Sequence, residues 1–487
     1  FNLDIIKKTK NKIFFDKEYN LDLESNLDRY YGVGFQFISQ PIQSLLKSNV
    51  QKYQGVNDFG AKLLSKHFIV FSFFFISGLI FFQIVKKATN DRNFSYLSTF
   101  IYLLYPYLLG HSFFSPKDIP FMSVWLLCTY LSLKFFEIIL QNKNINYLRV
   151  AILAICTAFL LSIRVTGVLI FFQYIFTFLI FLNIKKISLL EFIEIYYKKF
   201  LYFLFLLFLF IFILNPVYWY SPLSFFSAIK WMSHYYHDIC TDTLGSCMSA
   251  KNLPSTYMLI WFAVKLPLII LLGIFLVPFS ERKIFKDKKA SLIFGTLLSS
   301  IIFTPLILII INANLYDEIR HVMFLMPLIF IVSVISLYYF SKKIFYILGC
   351  FSIALFLIEN FKIHPYQYVW FNTPSRILDL TKKFELEYMG ISGREISKSI
   401  ISLNENKACI LASPGHTVEP FFFETKYDCF DKWQLIDTNY SRPFLAIQHV
   451  RNIKKGKPFN CKIISNEGFK LLFHEEKFIT GKLLKCF

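Results

Sequence analysis

Residues 103–121 read LLYPYLLGHSFFSPKDIPF, and they place polar side chains between two long apolar stretches. His111, Lys117 and Asp118 fall within this short interval. Two interpretations are open: a tight solvated turn between two membrane spans, or the mouth of a catalytic site at a membrane surface. Both require that the flanking stretches cross a membrane, so the composition of the whole chain has to be considered first.

The composition is that of a polytopic membrane protein. Of the 487 residues, 55% are hydrophobic and 17% are charged, and the mean hydropathy is +0.49. Soluble domains contain about 45–50% apolar and about 25% charged residues. The apolar residues occur in runs of roughly 17–24, the length that crosses a hydrocarbon core of about 30 Å. An ordinary soluble globular domain is therefore excluded.

The net charge of +20 does not indicate a nucleic-acid partner, because many of the lysines lie in short connections between apolar runs. There they set membrane topology. The remaining basic residues lie in the two polar ends, where we expect a solvated surface or one that attracts anionic head groups and anionic substrates.

We predict an all-α polytopic bundle of about ten transmembrane helices in residues 65–359. A first extracytoplasmic loop (1–64) precedes it, and a small extracytoplasmic α/β domain (360–487) follows. Because alternate connections are rich in lysine, the positive-inside rule places the other connections and both polar ends outside the inner (plasma) membrane. The predicted spans lie near 65–85, 95–113, 119–140, 148–163, 165–183, 199–218, 256–279, 290–313, 318–340 and 343–359.

Ionisable residues other than lysine concentrate at the outer ends of the predicted spans, whereas the span interiors are nearly free of charge. Charged groups at membrane depth are costly, so such a cluster indicates a functional site at the outer boundary. This pattern alone does not distinguish transport from catalysis. The residues concerned are His111, Asp118, Arg164, His234, His237, Asp238, Asp317, Arg320 and His321.

Seven segments together resemble the multispan glycosyltransferases related to the protein O-mannosyltransferases, family thirty-nine of the GT-C architecture. The resemblance covers about residues 30–396 and is strongest for bacterial members with no assigned acceptor. The segments occur in this order: LLYPYLLGHSFFSPKDIPF, SIRVTGVLI, NPVYWYSPL, LPSTYMLIWFAVKLP, LYDEIRHVMFLMP, HPYQYVWFN and FELEYMGISGREI.

The resemblance implies a transferase that moves a mannose-like hexose from a polyprenyl-phosphate donor to an acceptor hydroxyl on the outer face, with inversion. The acceptor is a protein, a glycan or a lipid. Chemistry of this kind needs a carboxylate to take the hydroxyl proton and a fixed cation to stabilise the departing phosphate. No cofactor is certain, and a divalent metal ion is left open.

Four residues carry this chemistry in the prediction. The resemblance implies Asp118 as the catalytic carboxylate, because an acidic residue shortly before a proline occupies this turn. The alternative is a carboxylate that caps the helix beginning at Ile119. Arg164, Arg320 and Lys117 are candidates for the donor phosphate, and Arg320 matches an arginine of the family. Arg164 could instead form a structural ion pair, and Lys117 could extend from the membrane surface towards water.

Further site candidates are His111, Asp317 and His321; for His111 the alternative is a hydrogen bond to a neighbouring loop. The resemblance also implies an Asp-Glu pair that would precede residue 1. We therefore expect an N-terminally truncated chain without its main base, in which Asp4, Asp16 and Glu18 are the remaining acids. Cys240 and Cys247 bracket TDTLGS, and a disulfide between them is expected if their compartment is oxidising.

Two other functions compete with glycosyl transfer. A multispan transporter or lipid flippase would place its charged groups along a path through the membrane midplane. A non-enzymatic scaffold for the cell envelope would need neither a path nor a pocket. A lateral groove that joins Asp118, Arg164 and Arg320 at the outer boundary would favour the transferase.

Overall fold

The computed structural model describes residues 30, 32–54, 58–219, 223–233, 239–403, 409–413, 429–432, 444–449, 461–474 and 476–487. Most of these residues are helical. The helices are α1 Gly34–Gln54, α2 Asp58–Thr89, α3 Arg92–Leu104, α4 Pro106–Ser112, α5 Asp118–Leu140, α6 Tyr147–Ile163, α7 Ile170–Lys185, α8 Leu189–Leu214, α9 Ser224–Ser233, α10 Tyr257–Lys265, α11 Leu268–Phe275, α12 Val277–Ile284, α13 Lys288–Ile310, α14 Met326–Ile363, α15 Leu380–Lys383 and α16 Ser392–Ser402.

The strands form two small sheets beside this bundle. A hairpin, β1 and β2, lies between α9 and α10, and a five-stranded sheet lies at the C-terminal end. The predicted architecture, an all-α membrane bundle with a small C-terminal α/β part, is therefore confirmed. The strands are β1 Cys240–Thr243, β2 Ser246–Ser249, β3 Cys409–Ser413, β4 Cys429–Lys432, β5 Phe444–His449, β6 Cys461–Phe469 and β7 Phe478–Cys486.

Six helical segments within the described residues are long and apolar enough to cross a membrane. In four of them less than half of the most apolar stretch is buried, whereas this stretch is 61% buried in Asp118–Leu140 and 89% buried in Arg320–Ile363. Two of them, Val165–Lys185 and Arg320–Ile363, begin with a short 3₁₀ turn before the α-helix. The six segments are Gly60–Thr89, Asp118–Leu140, Val165–Lys185, Leu189–Leu214, Lys288–Ile310 and Arg320–Ile363.

Proline breaks two of the other predicted spans. The span at 95–113 is divided into α3 and α4 at Pro106, and the span at 256–279 is divided into α10, α11 and α12, with its first break at Pro267. Proline lacks an amide hydrogen and disfavours a helical residue before it, so each helix ends just ahead of the ring. The predicted span at 148–163 is the 17-residue helix α6.

Helix α14 is one element along the chain, but it reverses direction at Ser341. The backbone there is extended, with φ −159° and ψ 106°. The ring of Tyr105 lies 5.2 Å from that of Phe330 in the first half and 6.1 Å from that of Phe356 in the second. Both halves therefore pass the same point in opposite directions, which agrees with two spans at 318–340 and 343–359.

The C-terminal sheet has the strand order β4-β3-β5-β7-β6. Strand β3 runs parallel to β4 and β5, whereas β7 is antiparallel to β5 and β6. A disulfide joins Cys461 to Cys486 across β6 and β7. Helix α16 contacts β5, β6 and β7, so this part has the α/β character that the sequence predicts.

The β1–β2 hairpin connects the segment before the sheet to the bundle. The amide of Gly245 donates to the carbonyl of Lys383 over 2.9 Å, and the amide of Glu385 donates to the carbonyl of Asp242 over 2.8 Å. The hairpin itself is closed by the Cys240–Cys247 disulfide. The hairpin therefore lies beside the end of the bundle where the polar residues are found.

Candidate functional site

A cavity of about 260 Å³ lies at one end of the bundle, which we call the site end. Three chain segments converge there: the turn that leads into α5, the junction after α6, and the 3₁₀ turn Arg320–Leu325 before α14. Each segment contains the start or the end of a helix and supplies one charged side chain to the cavity: Asp118, Arg164 and Arg320, respectively. The lining residues are Tyr30, Gly32, Phe114, Ser115, Pro116, Lys117, Asp118, Arg164, Val165, Thr166, Met232, Asn314, Tyr316, Arg320, His321 and Met389.

Asp118 is the first residue of α5, yet its side chain does not cap that helix. The N-cap position is Lys117, and no side-chain hydrogen bond is formed there. One carboxylate oxygen of Asp118, Oδ2, instead accepts from Oγ of Ser115 over 2.9 Å, and the residue is buried. The carboxylate thus faces the cavity and not the backbone of its own helix.

Asp118 joins the two arginines that the sequence analysis selected. The guanidinium of Arg164 donates from Nη2 to Oδ1 of Asp118. The Nε atom of Arg320 lies 3.9 Å from Oδ2 of Asp118, and its Nη2 atom lies 2.9 Å from Oδ2 of Asp317. Asp118, Arg164 and Arg320 therefore form one charged cluster, although Arg164 is 46 residues and Arg320 about 200 residues after Asp118 in the chain.

Two guanidinium N–H groups in this cluster have no acceptor among the described residues. They are Nε of Arg164 and Nε of Arg320, and both atoms are buried. Buried donors in proteins are nearly always paired, so two such groups on one cavity indicate a missing acceptor. The charged residues of the cluster are Lys117, Arg164, Arg320, Asp118 and Asp317, an excess of one positive charge, which favours an anion.

Aromatic rings enclose the Arg320 guanidinium. Its central carbon lies 5.5 Å from the ring centroid of Tyr316 and 5.8 Å from that of Tyr388. His321 packs against Tyr316, with ring centroids 4.3 Å apart, and its Nε2 atom is 3.4 Å from Nη2 of Arg320. Stacking on aromatic faces keeps a guanidinium in one orientation without consuming its hydrogen bonds. These contacts orient Arg320 towards the cavity.

His111 lies behind the cavity and does not line it. Its side chain is fully buried, and Nε2 is 3.1 Å from the hydroxyl of Tyr388. Tyr388 in turn faces Arg320, and the His111 ring also packs against Phe114, which lines the cavity, with ring centroids 5.6 Å apart. The arrangement matches the alternative in which the histidine hydrogen-bonds a neighbouring segment.

A smaller apolar cavity, which we call the apolar passage, adjoins the first one and lies between the 3₁₀ turn Val165–Leu169 and the C-terminal end of α13. It begins at Arg164 and His321, and Leu308, Ile311, Val168, Leu169 and Phe324 form most of its wall. Ile311, just after the end of α13, is 38% exposed. The charged cluster is therefore continuous with an apolar cavity whose wall includes a partly exposed residue.

A buried ion pair that was not predicted from the sequence lies next to this cavity. The ammonium of Lys265 lies 2.8 Å from Oε1 of Glu318, and both side chains are fully buried. Lys265 interrupts an apolar stretch, IWFAVKLP, inside a predicted span, and a lone lysine at that depth is the signal that could have revealed the pair. Glu318 carries no such signal, because it stands in a connection where acids are ordinary.

Cys240 and Cys247 are joined by a disulfide that closes the β1–β2 hairpin. Within the part of the chain that the structure describes, no group of three His, Cys, Asp or Glu residues is arranged to hold a metal ion. Other predicted site residues lie outside the described residues: Asp4, Asp16, Glu18, His234, His237 and Asp238.

No protein-family model matches this chain, and no curated protein matches it either. Among solved structures, ArnT from Cupriavidus metallidurans in the apo state is similar to it, with a TM-score of 0.48, 9% identity, and coverage of 94% of this chain and 93% of that chain. The crystal structure of ArnT from the same organism bound to undecaprenyl phosphate has a TM-score of 0.46, 8% identity and the same coverage, 94% and 93%. Similarity of this degree assigns the chain to no family, so a functional proposal has to rest on the residues of the cavity.

Proposed function

We propose that this protein is an integral-membrane glycosyltransferase that takes a sugar from a polyprenyl-phosphate carrier and transfers it to an acceptor hydroxyl. The single observation that carries the proposal is the pair of arginines on the cavity, each with a buried Nε–H that lacks an acceptor among the described residues. A tetrahedral phosphate carries several acceptor oxygens, and a planar guanidinium can bind two of them with parallel hydrogen bonds.

The apolar passage supports a lipid-linked donor. A free sugar phosphate needs only the charged cavity, whereas a polyprenyl chain also needs an apolar wall that continues to the membrane. The passage begins at Arg164 and ends near the exposed Ile311. A donor with its phosphate at the arginines can therefore direct its isoprenoid chain past the 3₁₀ turn Val165–Leu169 and the C-terminal end of α13.

In the proposed step, the acceptor hydroxyl oxygen attacks the anomeric carbon while the bond from that carbon to the phosphate oxygen breaks. The electron pair of the broken bond goes to the polyprenyl phosphate, where Arg164 and Arg320 stabilise the added charge. The hydroxyl proton goes to a carboxylate, for which we propose Asp118. Attack from the side opposite the phosphate inverts the anomeric centre.

Asp118 cannot accept a proton freely while it holds both arginines. In the structure its two oxygens face Arg164, Arg320 and Ser115. A bound phosphate competes for the same guanidinium groups, so donor binding would release the carboxylate for the acceptor proton.

We place the cavity on the outer face of the membrane. The Cys240–Cys247 and Cys461–Cys486 disulfides belong to segments that pack at the site end, and disulfides persist in oxidising compartments. A mannose-like hexose, a protein, glycan or lipid acceptor, and membership of the O-mannosyltransferase-related group remain proposals that follow from the sequence resemblance. A role of the C-terminal sheet in acceptor binding is proposed from its location alone.

The test uses the protein in liposomes with radiolabelled polyprenyl-phosphate hexoses and membrane extracts as a source of acceptors. We expect label to move from the lipid to an acceptor fraction, with release of polyprenyl phosphate. Polyprenyl phosphate without a sugar should compete for the site, because it retains the group that the arginines bind.

A transporter or flippase would give a different result. Label would cross the membrane with the lipid–sugar bond intact, and a protein lacking Asp118 would still move it. Such an outcome, with no transfer from any donor offered, would overturn the proposal.

A further inference from the structure

The turn that precedes Arg320 has an unusual backbone. Asp317 has φ +54° and Glu318 has φ +63°, so two consecutive residues other than glycine lie in the left-handed region. This conformation costs roughly 1–2 kcal/mol per residue for L-amino acids. A turn of this kind persists only where its surroundings fix it, and such turns concentrate at functional sites.

Three contacts fix this turn. The amide of Asp317 donates to Oγ1 of Thr241 over 2.9 Å, and the hydroxyl of Tyr257 donates to the carbonyl of Glu318 over 3.1 Å. The third contact is the ion pair between the Glu318 side chain and Lys265, 2.8 Å long. One contact holds the first residue of the turn and two hold the second, so both left-handed residues are restrained.

Lys265 is enclosed too completely to touch a substrate. Its ammonium lies 3.9 Å from the ring centroid of Phe371, 5.2 Å from that of Tyr107 and 5.6 Å from that of Trp261. The side chain has no exposed surface and does not line the cavity. The ammonium also donates to the carbonyl of Val369 over 3.4 Å, and the contact that links Lys265 to the 317–318 turn is the one with Glu318.

A buried ion pair is not needed for packing. Apolar residues of similar volume often stabilise a protein as well or better, because two charges lose their hydration on burial. The environment opposes the charge on this carboxyl: burial raises the pKa of Glu318 to about 7, although the nearby Lys265 counteracts this. The cost of desolvation is consistent with a role in conformation.

We propose that Lys265, Glu318 and Thr241 are positioning residues that keep the 317–318 turn left-handed and so present Arg320 to the donor phosphate. The proposal rests on the proposed function, because Arg320 matters only if it binds that phosphate. The ion pair holds the Glu318 side chain and thereby stabilises the left-handed backbone at 317–318. This backbone sets the orientation of Arg320, two residues later.

The decisive experiment tests whether the cation of Lys265 is needed to hold the 317–318 turn. Lys265→Met leaves the Glu318 carboxylate buried without its cation, so the turn should relax. We expect kcat/KM for the polyprenyl-phosphate sugar to fall about 100-fold, the size of effect that a displacement of about 1 Å can cause. Lys265→Arg should lose far less, because it retains a cation for Glu318.

Two double variants then compare glycine with alanine at the same position. Lys265→Met/Glu318→Gly removes the buried carboxylate and adopts a positive φ at no steric cost, so we expect recovery to within about tenfold of the wild-type kcat/KM. Lys265→Met/Glu318→Ala removes the same carboxylate but keeps the left-handed strain, and it should recover less. Equal recovery by both variants, or recovery by neither, would overturn the proposal.

A matched control is the buried ion pair between Arg376 and Glu359, which does not line the cavity. Glu359→Gln should lower the thermal unfolding temperature while kcat/KM per folded molecule stays within about twofold of the wild-type value. If this variant loses transfer as severely as Lys265→Met does, the effect of Lys265 is one of general stability and the proposal fails.

Hydrogen–deuterium exchange gives a readout that is independent of activity. The Asp317 amide, bonded to Thr241, should exchange faster in Lys265→Met and in Thr241→Val, and it should be protected again in Lys265→Met/Glu318→Gly. If the wild-type protein neither binds nor transfers a polyprenyl-phosphate sugar, the proposed function fails, and the exchange pattern alone still decides whether the turn is anchored. Unchanged exchange in both Lys265→Met and Thr241→Val would refute the anchor.

Discussion

The two ends of the helical bundle differ in how far their charged side chains are exposed. At the site end, Asp118, Glu318 and Lys265 are buried, and their partners are other charged groups. At the opposite end, Lys289 is 50% exposed beside Glu137, and Lys342 is 51% exposed beside Asp91. Helix α5 connects the two environments, since it begins at Asp118 and carries Glu137 in its last turn.

This difference separates charged residues that are buried near the cavity from charged residues that remain in contact with solvent. Exposed pairs add little to stability and are screened by salt, so the opposite end can vary as long as it stays basic. Buried charges require partners, and loss of one partner leaves the other uncompensated. Substitutions at the two ends should therefore differ in their effect on catalysis far more than in their effect on expression.

The largest effect should follow removal of the Arg320 side chain. Arg320→Ala takes away one of the two guanidinium groups that face the proposed phosphate, and loss of one such donor typically costs about 10²–10³-fold. We expect kcat/KM to fall by about 10³-fold, mainly through weaker donor binding. Arg320→Lys keeps the positive charge but not the planar guanidinium, so its kcat/KM should lie between those of Arg320→Ala and the wild-type protein. A full retention of donor binding in Arg320→Ala would contradict the assignment.

A smaller effect, in a different kinetic constant, is expected for Asp118. Asp118→Asn removes the proposed proton acceptor but leaves an isosteric partner for Arg164. Turnover at saturating donor should fall about 10²-fold, whereas binding of polyprenyl phosphate should be retained or strengthened because the arginines lose a competing anion. Equilibrium binding measured beside kcat distinguishes the two roles. Weaker phosphate binding in this variant would make Asp118 a structural partner only.

The two disulfides allow a third comparison within the site end itself. Cys240→Ser/Cys247→Ser opens the hairpin whose Thr241 contacts the 317–318 turn, and we expect kcat/KM to fall about tenfold. Cys461→Ser/Cys486→Ser opens the edge of the C-terminal sheet and should mainly lower the unfolding temperature. Kinetics and thermal unfolding of both pairs measure the difference. Identical kinetic losses would mean that the hairpin does not act on the site in particular.

The smallest effect is expected at the opposite end. Lys289→Met removes one side of an exposed pair whose atoms, Nζ of Lys289 and Oε1 of Glu137, are 3.5 Å apart. Glu137 retains Lys87 as a second partner, so we expect kcat/KM within about twofold of the wild-type value. A larger loss would mean that the connections at the opposite end take part in turnover, and the contrast between the two ends would no longer hold.

Much of the bundle could be predicted because apolar length and lysine placement are local signals. The positions of α2, α5, α7, α13 and the two halves of α14 follow from runs that are long enough to span. The divided spans were missed where a proline stands inside an apolar run, as Pro106 and Pro267 do, because hydropathy alone does not register a missing backbone donor.

The site could be predicted only in part, because its geometry is set by contacts across long sequence separations. The types and places of Asp118, Arg164 and Arg320 were visible as charges at span ends. The partnership of Lys265 with Glu318 was not, since nothing local relates the two positions. The left-handed turn was hidden as well, because LYDEIRH contains no glycine to indicate it.

The reversal at Ser341 has a consequence for how the chain is inserted during synthesis. Arg320 and Tyr388 contact each other although α14 lies between them along the chain, so an even number of crossings must separate the two residues. The two antiparallel halves of α14 supply that pair, with Lys342 and Lys343 at the tip. If a translocon failed to insert one half, every later residue would emerge on the membrane side opposite Arg320, and Tyr388 could not reach the Arg320 guanidinium.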